Sequence, residues 1–167
     1  KSEYGPHRPI DTMVSEITKG KQILEQAFRK RALPVFVPPW NRMTERLFPY
    51  LPEIGLRGFS AKASQQQLLS ASTPQETCLT VADAHIDIID WKNNGKFIGE
   101  DLALREITWH LNARRRRTIP PDTPNCILTH HKQMEDDAFS FLERLFIKTQ
   151  YFGALWLSAS KLFGAAP

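Results

Sequence analysis

Cysteine is scarce in this chain, and long apolar runs are absent. Cys78 and Cys126 are the two cysteines among 167 residues, and neither belongs to a CxxC or other metal-spaced group. This spacing excludes a disulfide-rich scaffold and a cysteine-based zinc site, and it favours two free buried thiols over a single disulfide. No window of about 18 uninterrupted apolar residues occurs, and the amino terminus lacks a signal-peptide layout, so no membrane partner is expected.

The excess of positive charge is small and local. The net charge is +4 with a pI near 9.2, in an ordinary globular composition of 41% hydrophobic and 24% charged residues. Much of the excess lies in the run Arg114 to Arg117, which is typical of a solvated helix end. Nucleic acid is therefore not expected as a partner, although an anion- or nucleic-acid-binding domain that uses this run is an alternative function.

Three predicted strands end in ionisable or aromatic side chains. The first, 33–37, stops at Pro38 and Pro39, because proline cannot donate to a sheet ladder. The second covers 85–90 and the third 125–129. The side chains at these ends are Trp40, Asn41 and Arg42, then Asp87, Asp90 and Trp91, then His130 and His131. Carboxyl ends of strands that carry such groups are where α/β folds build active sites.

Helical periodicity fills the intervals between these strands. Apolar spacing predicts helices over 10–28, 99–116, 134–145 and 152–163, a short helix over 43–50, and brief strands over 55–60 and 78–81. The polar stretch 61–77 shows no periodicity and predicts a surface excursion. Helices that alternate with buried strands favour an α/β fold with a mainly parallel sheet, either open or closed into an incomplete or distorted (β/α) barrel.

A histidine, an aspartate and an exposed tryptophan at one rim suggest acid/base chemistry on a sugar. Asp87 and Asp90 are three residues apart, so in a regular strand they point to opposite faces and cannot both enter one site unless the strand ends between them. Asp90 is preferred because it is nearer the strand end. The simpler interpretations are that Trp40 is a packing residue and that His130 and His131 alone form no metal site.

The motifs VPPW (37–40), DIIDW (87–91) and LTHH (128–131), in this order, resemble the later motifs of polysaccharide deacetylases, the carbohydrate esterases that include chitooligosaccharide deacetylases. The opening segment KSEYG also resembles a divergent bacterial branch of that family. The resemblance spans nearly the whole chain and implies a distorted (β/α) barrel. It also implies removal of acetyl groups from N-acetylated sugars by a metal-activated water.

The resemblance also implies roles for individual residues. His130 would be the general acid, oriented by Asp90, while Trp91 and Leu128 would line the acetyl pocket. The third motif usually carries an arginine where this chain has Val37, and Arg42, in the next turn, is the candidate for that catalytic guanidinium. The aromatic residue of the same motif is Trp40, which would contact the substrate.

Two further motifs of the family would precede Lys1: an Asp-Asp pair and an H-x-x-x-H segment, which supply the base and the metal ligands. A divalent metal, zinc, is therefore expected in the intact family fold and none in this chain alone. Residues 1–167 are expected to be an inactive carboxyl-terminal portion that binds an N-acetylated glycan or oligosaccharide. It would also self-associate or bind the amino-terminal fragment. The alternative is a non-catalytic carbohydrate-binding module that uses the aromatic cleft.

Overall fold

The computed structural model describes residues 2–62 and 79–164, and the chain divides into two compact units. Among the described residues, the first unit comprises 2–62, 79–83 and 158–164, and the second comprises 84–157. Helices and short strands, parallel for the most part, confirm the predicted α/β class. Within the described ranges the strands form small separate sheets and no closed barrel. Whether 1–167 is a portion of one deacetylase-like domain stays a prediction.

Within the described residues, three helices are long, and the other helices and the strands are short. In chain order, the helices are α1 (Ile10–Phe28), α2 (Tyr50–Glu53), α3 (Glu100–Arg115), α4 (Asp136–Tyr151) and α5 (Ala159–Leu162). The strands are β1 (Val35–Phe36), β2 (Gly58–Phe59), β3 (Thr80–Val81), β4 (Ile86–Asp87), β5 (Ile89–Asp90), β6 (Lys96–Phe97) and β7 (Ile127–Leu128). Single 3₁₀ turns cover Arg29–Arg31, Pro39–Asn41 and Glu45–Leu47.

The first unit is built on a parallel three-stranded sheet in the order β1-β2-β3. The inner face of α1 contributes Met13 and Ile17 to its core, which confirms the helix predicted from the spacing of apolar residues. Gly58 in β2 has no room for a side chain, because a Cβ there would lie 2.4 Å from Cδ1 of Phe163 and 2.9 Å from Cγ2 of Val35. The absence of a side chain at Gly58 therefore allows the aromatic ring to pack on the sheet.

The second unit contains two pairs of strands and the long helices α3 and α4. β4 pairs with β7 in parallel, and β5 pairs with β6 in an antiparallel hairpin. The hairpin turn, predicted from Asn93-Asn94-Gly95, places Asn94 and Gly95 at positive φ values of 56° and 71°. The core of this unit consists of Ile86, Ile88, Ile89, Ala103, Ile107 and Phe141.

Three predicted elements differ from the structure. The strand predicted over 85–90 is two strands interrupted at Ile88. The helix predicted over 152–163 is wrong for its first part, because α4 ends at Tyr151 and Gly153 follows at a φ of 86°. The short helix predicted over 43–50 is a 3₁₀ turn followed by α2. The excursion predicted over 61–77 lies, beyond its first two residues, outside the described residues.

Candidate active site

Asp87, Trp91 and His130 form a compact cluster in the second unit. Nε2 of His130 lies 3.2 Å from Oδ1 of Asp87. Nε1 of Trp91 donates a hydrogen bond of 3.1 Å to the other carboxylate oxygen, Oδ2. The two rings meet edge to face, with their centroids 4.8 Å apart. One carboxylate therefore fixes both an imidazole and an indole.

The cluster follows from the parallel pairing of β4 with β7. Asp87 is the last residue of β4 and is in register with Leu128, the last residue of β7. His130 lies two residues beyond that strand end, so the carboxyl ends of two neighbouring parallel strands deliver the carboxylate and the imidazole to one place. Trp91 follows directly after β5 and returns to the same carboxylate. Two of the three strand ends singled out in the sequence, those of β4 and β7, therefore lie next to each other.

Asp87 is held firmly. Its side chain is 7% exposed, and Oδ1 also accepts a hydrogen bond of 3.1 Å from the backbone N–H of Ile89. Asp87 and His130 are within ion-pair distance but do not form an aligned hydrogen bond. Nε2 of His130 is buried and has no hydrogen-bond partner in the described part of the chain. A carboxylate beside a ring nitrogen orients the imidazole and stabilises the imidazolium when it forms.

Asp90, the carboxylate preferred from the sequence, lies in the β5–β6 hairpin turn and not beside His130. Its Oδ1 accepts a hydrogen bond of 2.9 Å from the backbone N–H of Lys92, and its carbonyl accepts from Asn93 and Gly95. These bonds close the turn of the β5–β6 hairpin. The carboxylate beside His130 is Asp87, so the prediction that Asp90 orients the imidazole is corrected to Asp87.

The other predicted site residues have these positions. Leu128 lies in β7, half-buried, in register with Asp87. Trp40 and Arg42 belong to the first unit. Trp40 is 61% exposed at a φ of 60°, and its Nε1 donates a bond of 3.3 Å to Oε1 of Glu3, so packing does not account for it. Arg42 is exposed, and its backbone N–H closes the 3₁₀ turn on the carbonyl of Pro39.

The sequence did not predict that His85 and His110 lie in contact. His85, just before β4, stacks on His110 of α3 with ring centroids 3.7 Å apart and an interplanar angle of 20°. His110 is fully buried, and neither of its ring nitrogens has a hydrogen-bond partner among the residues described. Burial, together with the nearby His85 and Arg114, lowers the pKa of His110 to about 4. The helical spacing places position 110 on the inner face of α3, but no sequence signal indicates the stacking partner.

No group of three or more His, Cys, Asp or Glu side chains within 2–62 and 79–164 is arranged to hold a metal ion. The described residues therefore provide no metal-ligand set, and we assign no chemical step to a metal. No helix in the same ranges is long and apolar enough to cross a membrane.

The chain was compared with known proteins and structures. No protein-family model, no curated protein and no solved structure matches the chain significantly.

Proposed function

We propose that this chain forms part of a hydrolase that removes N-acetyl groups from a polysaccharide or oligosaccharide. The observation that carries the proposal is the contact of one buried carboxylate, Asp87, with both the imidazole of His130 and the indole of Trp91. The ordered motifs that contain these residues support the same assignment. A distorted (β/α) barrel of the polysaccharide deacetylase type is part of the proposal.

His130 acts as the general acid in this proposal. Hydrolysis of the acetamido group breaks its C–N bond, gives acetate, and requires that the leaving sugar nitrogen receive a proton. The imidazolium donates that proton from Nδ1, since Nε2 is buried next to Asp87. Asp87 keeps the ring in position and stabilises its positive charge before the transfer. We assign no residue to the activation of the attacking water, because the described residues provide no metal-ligand set.

Trp91 provides the surface for the sugar. The residue is 53% exposed although its N–H is bonded to Asp87 and its ring contacts His130. A fixed indole with an exposed face offers a flat apolar platform for a pyranose ring at little cost in conformational entropy. A sugar stacked on this platform lies next to the proposed acid. The same exposed indole is the observation that favours the alternative, a carbohydrate-binding module without catalysis.

The position of the acetyl group in the complex separates the two functions. The chain would be mixed with a tetramer of N-acetylglucosamine, and intermolecular nuclear Overhauser effects from the acetyl methyl protons would be recorded. For a deacetylase we expect contacts between the methyl group and the ring protons of both His130 and Trp91. Contacts of sugar ring protons with Trp91, and none of the methyl group with His130, would instead support the binding module.

Mutations test the acid itself. In a preparation of the protein that releases acetate from the tetramer of N-acetylglucosamine, His130→Ala is expected to lower turnover by about 10²–10⁴-fold. His131→Ala is the matched control, because this neighbouring histidine is exposed. A loss below roughly threefold on His130→Ala, far short of the effect of a general acid, would refute the role assigned to this residue.

A further inference from the structure

Gln133 and the exposed indole of the candidate site both approach Gly95 in the hairpin turn. A Cβ placed on Gly95 would lie 3.3 Å from Oε1 of Gln133 and 3.9 Å from Cζ3 of Trp91. The side-chain amide and the benzene edge of the indole are therefore both within 4 Å of one point in the hairpin turn. Because Gly95 has no side chain, the amide can occupy this place.

The backbone of Gln133 is fixed relative to the proposed acid. Its N–H donates a hydrogen bond of 2.8 Å to the carbonyl of His130, and the N–H of Met134 donates one of 3.0 Å to the same oxygen. Gln133 is exposed, and its amide makes no hydrogen bond within the part of the chain that the structure describes. The turn after His130 thus presents a polar side chain that is available to a ligand.

The two ends of the indole have different neighbours. Asp87 binds the pyrrole nitrogen of Trp91, whereas the benzene-ring atom Cζ3 and the amide of Gln133 both lie within 4 Å of the same point at Gly95. A sugar stacked on Trp91 would therefore have one edge toward Asp87 and His130 and the other toward the hairpin turn and Gln133. A primary amide offers two donors and an acceptor, which match the hydroxyl groups of a sugar edge.

We infer that Gln133 is a substrate-binding residue that hydrogen-bonds a hydroxyl group on the edge of the sugar ring remote from the reacting acetamido group. The inference rests on the proposed function for the identity of the ligand, and it adds a residue that no motif of the sequence indicated. Trp91 binds the face of the sugar, His130 is next to the acetamido edge, and Gln133 binds the hydroxyl edge. Because Gln133 hydrogen-bonds a hydroxyl group, it contributes equally to the binding affinity for the acetylated and the deacetylated sugar.

Isothermal titration calorimetry on the 167-residue chain tests the inference with two ligands, the tetramer of N-acetylglucosamine and the tetramer of glucosamine. Gln133→Leu keeps the size of the side chain and removes its hydrogen bonds. It is expected to weaken the binding of both tetramers by the same factor, about 2- to 12-fold, the equivalent of one hydrogen bond. The matched control is Gln150→Leu, since Gln150 is an exposed glutamine in α4 of the same unit, and no change is expected. Gln133→Ala repeats the test with a smaller side chain.

Each outcome bears on a definite claim. Unchanged affinity of both Gln133 variants, with spectra that show a native fold, would overturn the inference and leave the proposed function intact. A loss of affinity confined to the acetylated tetramer would refute the hydroxyl assignment, because the amide would then bind the acetamido group. If the wild-type chain binds neither tetramer, the proposed function itself fails first, and the role of Gln133 fails with it.

Discussion

Acidification is expected to destabilise the second unit through His110. In the folded chain the pKa of this imidazole is lowered to about 4, because burial and the neighbouring His85 and Arg114 disfavour the charged ring. A histidine in the unfolded chain has a pKa of about 6.5. Between these two values the unfolded state binds more protons, so the free energy of unfolding falls as the pH falls. The stabilisation is complete above about pH 6.5 and is lost toward pH 4.

The size of the effect follows from the difference of about 2.5 pKa units. At about 1.36 kcal/mol per unit, the free energy of unfolding decreases by about 2 kcal/mol from pH 7.5 to pH 5 and by about 3 kcal/mol below pH 4. The geometry supports this sign. A protonated His110 would bring two N–H donors into a site with no acceptor among the described residues, next to a ring stacked 3.7 Å away.

Urea unfolding at a series of pH values, followed by tryptophan fluorescence and circular dichroism, measures this slope. His110→Leu is expected to flatten the dependence between pH 7.5 and 5, because it removes the titrating group from a position that is already apolar. The control, His131→Gln, alters an exposed histidine of the same unit and should leave the slope unchanged. A wild-type slope that persists in His110→Leu would refute the reasoning.

Two further predictions concern stability. Gly58→Ala should destabilise the first unit by about 1–3 kcal/mol in thermal unfolding, because the new Cβ overlaps Phe163 and Val35. Gly20→Ala, in the interior of α1 with nothing within 4 Å, should stabilise it by about 0.5–1 kcal/mol, and equal effects of the two changes would contradict the packing argument. Arg144→Gln breaks a 2.6 Å ion pair with Glu100 in which both side chains are about half exposed, so the loss in urea unfolding should stay below about 1 kcal/mol, and a loss above about 2 kcal/mol would contradict this.

The long helices could be predicted from the sequence because their apolar residues repeat with a helical period. Met13 and Ile17 in α1, and Ala103 and Ile107 in α3, are one turn apart and buried. The hairpin turn was equally readable, since asparagine and glycine tolerate positive φ. The final helix could not be predicted correctly. Apolar residues at helical spacing after Tyr151 do not show that Gly153 interrupts the helix or that Leu155 is 88% exposed.

The candidate site was predicted in its residue types and strand ends but not in its carboxylate. Proximity to the strand end favoured Asp90, and alternation alone could not decide between Asp90 and Asp87. The deciding feature is the interruption at Ile88, which the apolar run His85 to Asp90 does not reveal. Gln133 was missed for a related reason, because its place depends on the path of the hairpin and not on a motif.

The orientation of Asp87 is set by the burial of its neighbours. Ile86 and Ile88 are 1% and 0% exposed, so alternation along the chain turns the side chain between them to the opposite face, where His130 lies. Ile89 is also buried, at 3%, and packs in the same core as Ile88, whereas a regular strand would turn these two consecutive side chains to opposite faces. The ladder therefore breaks there, and β5 leaves β4 to pair with β6. The burial of these three isoleucines thus places Asp87 at the site and Asp90 in the hairpin turn.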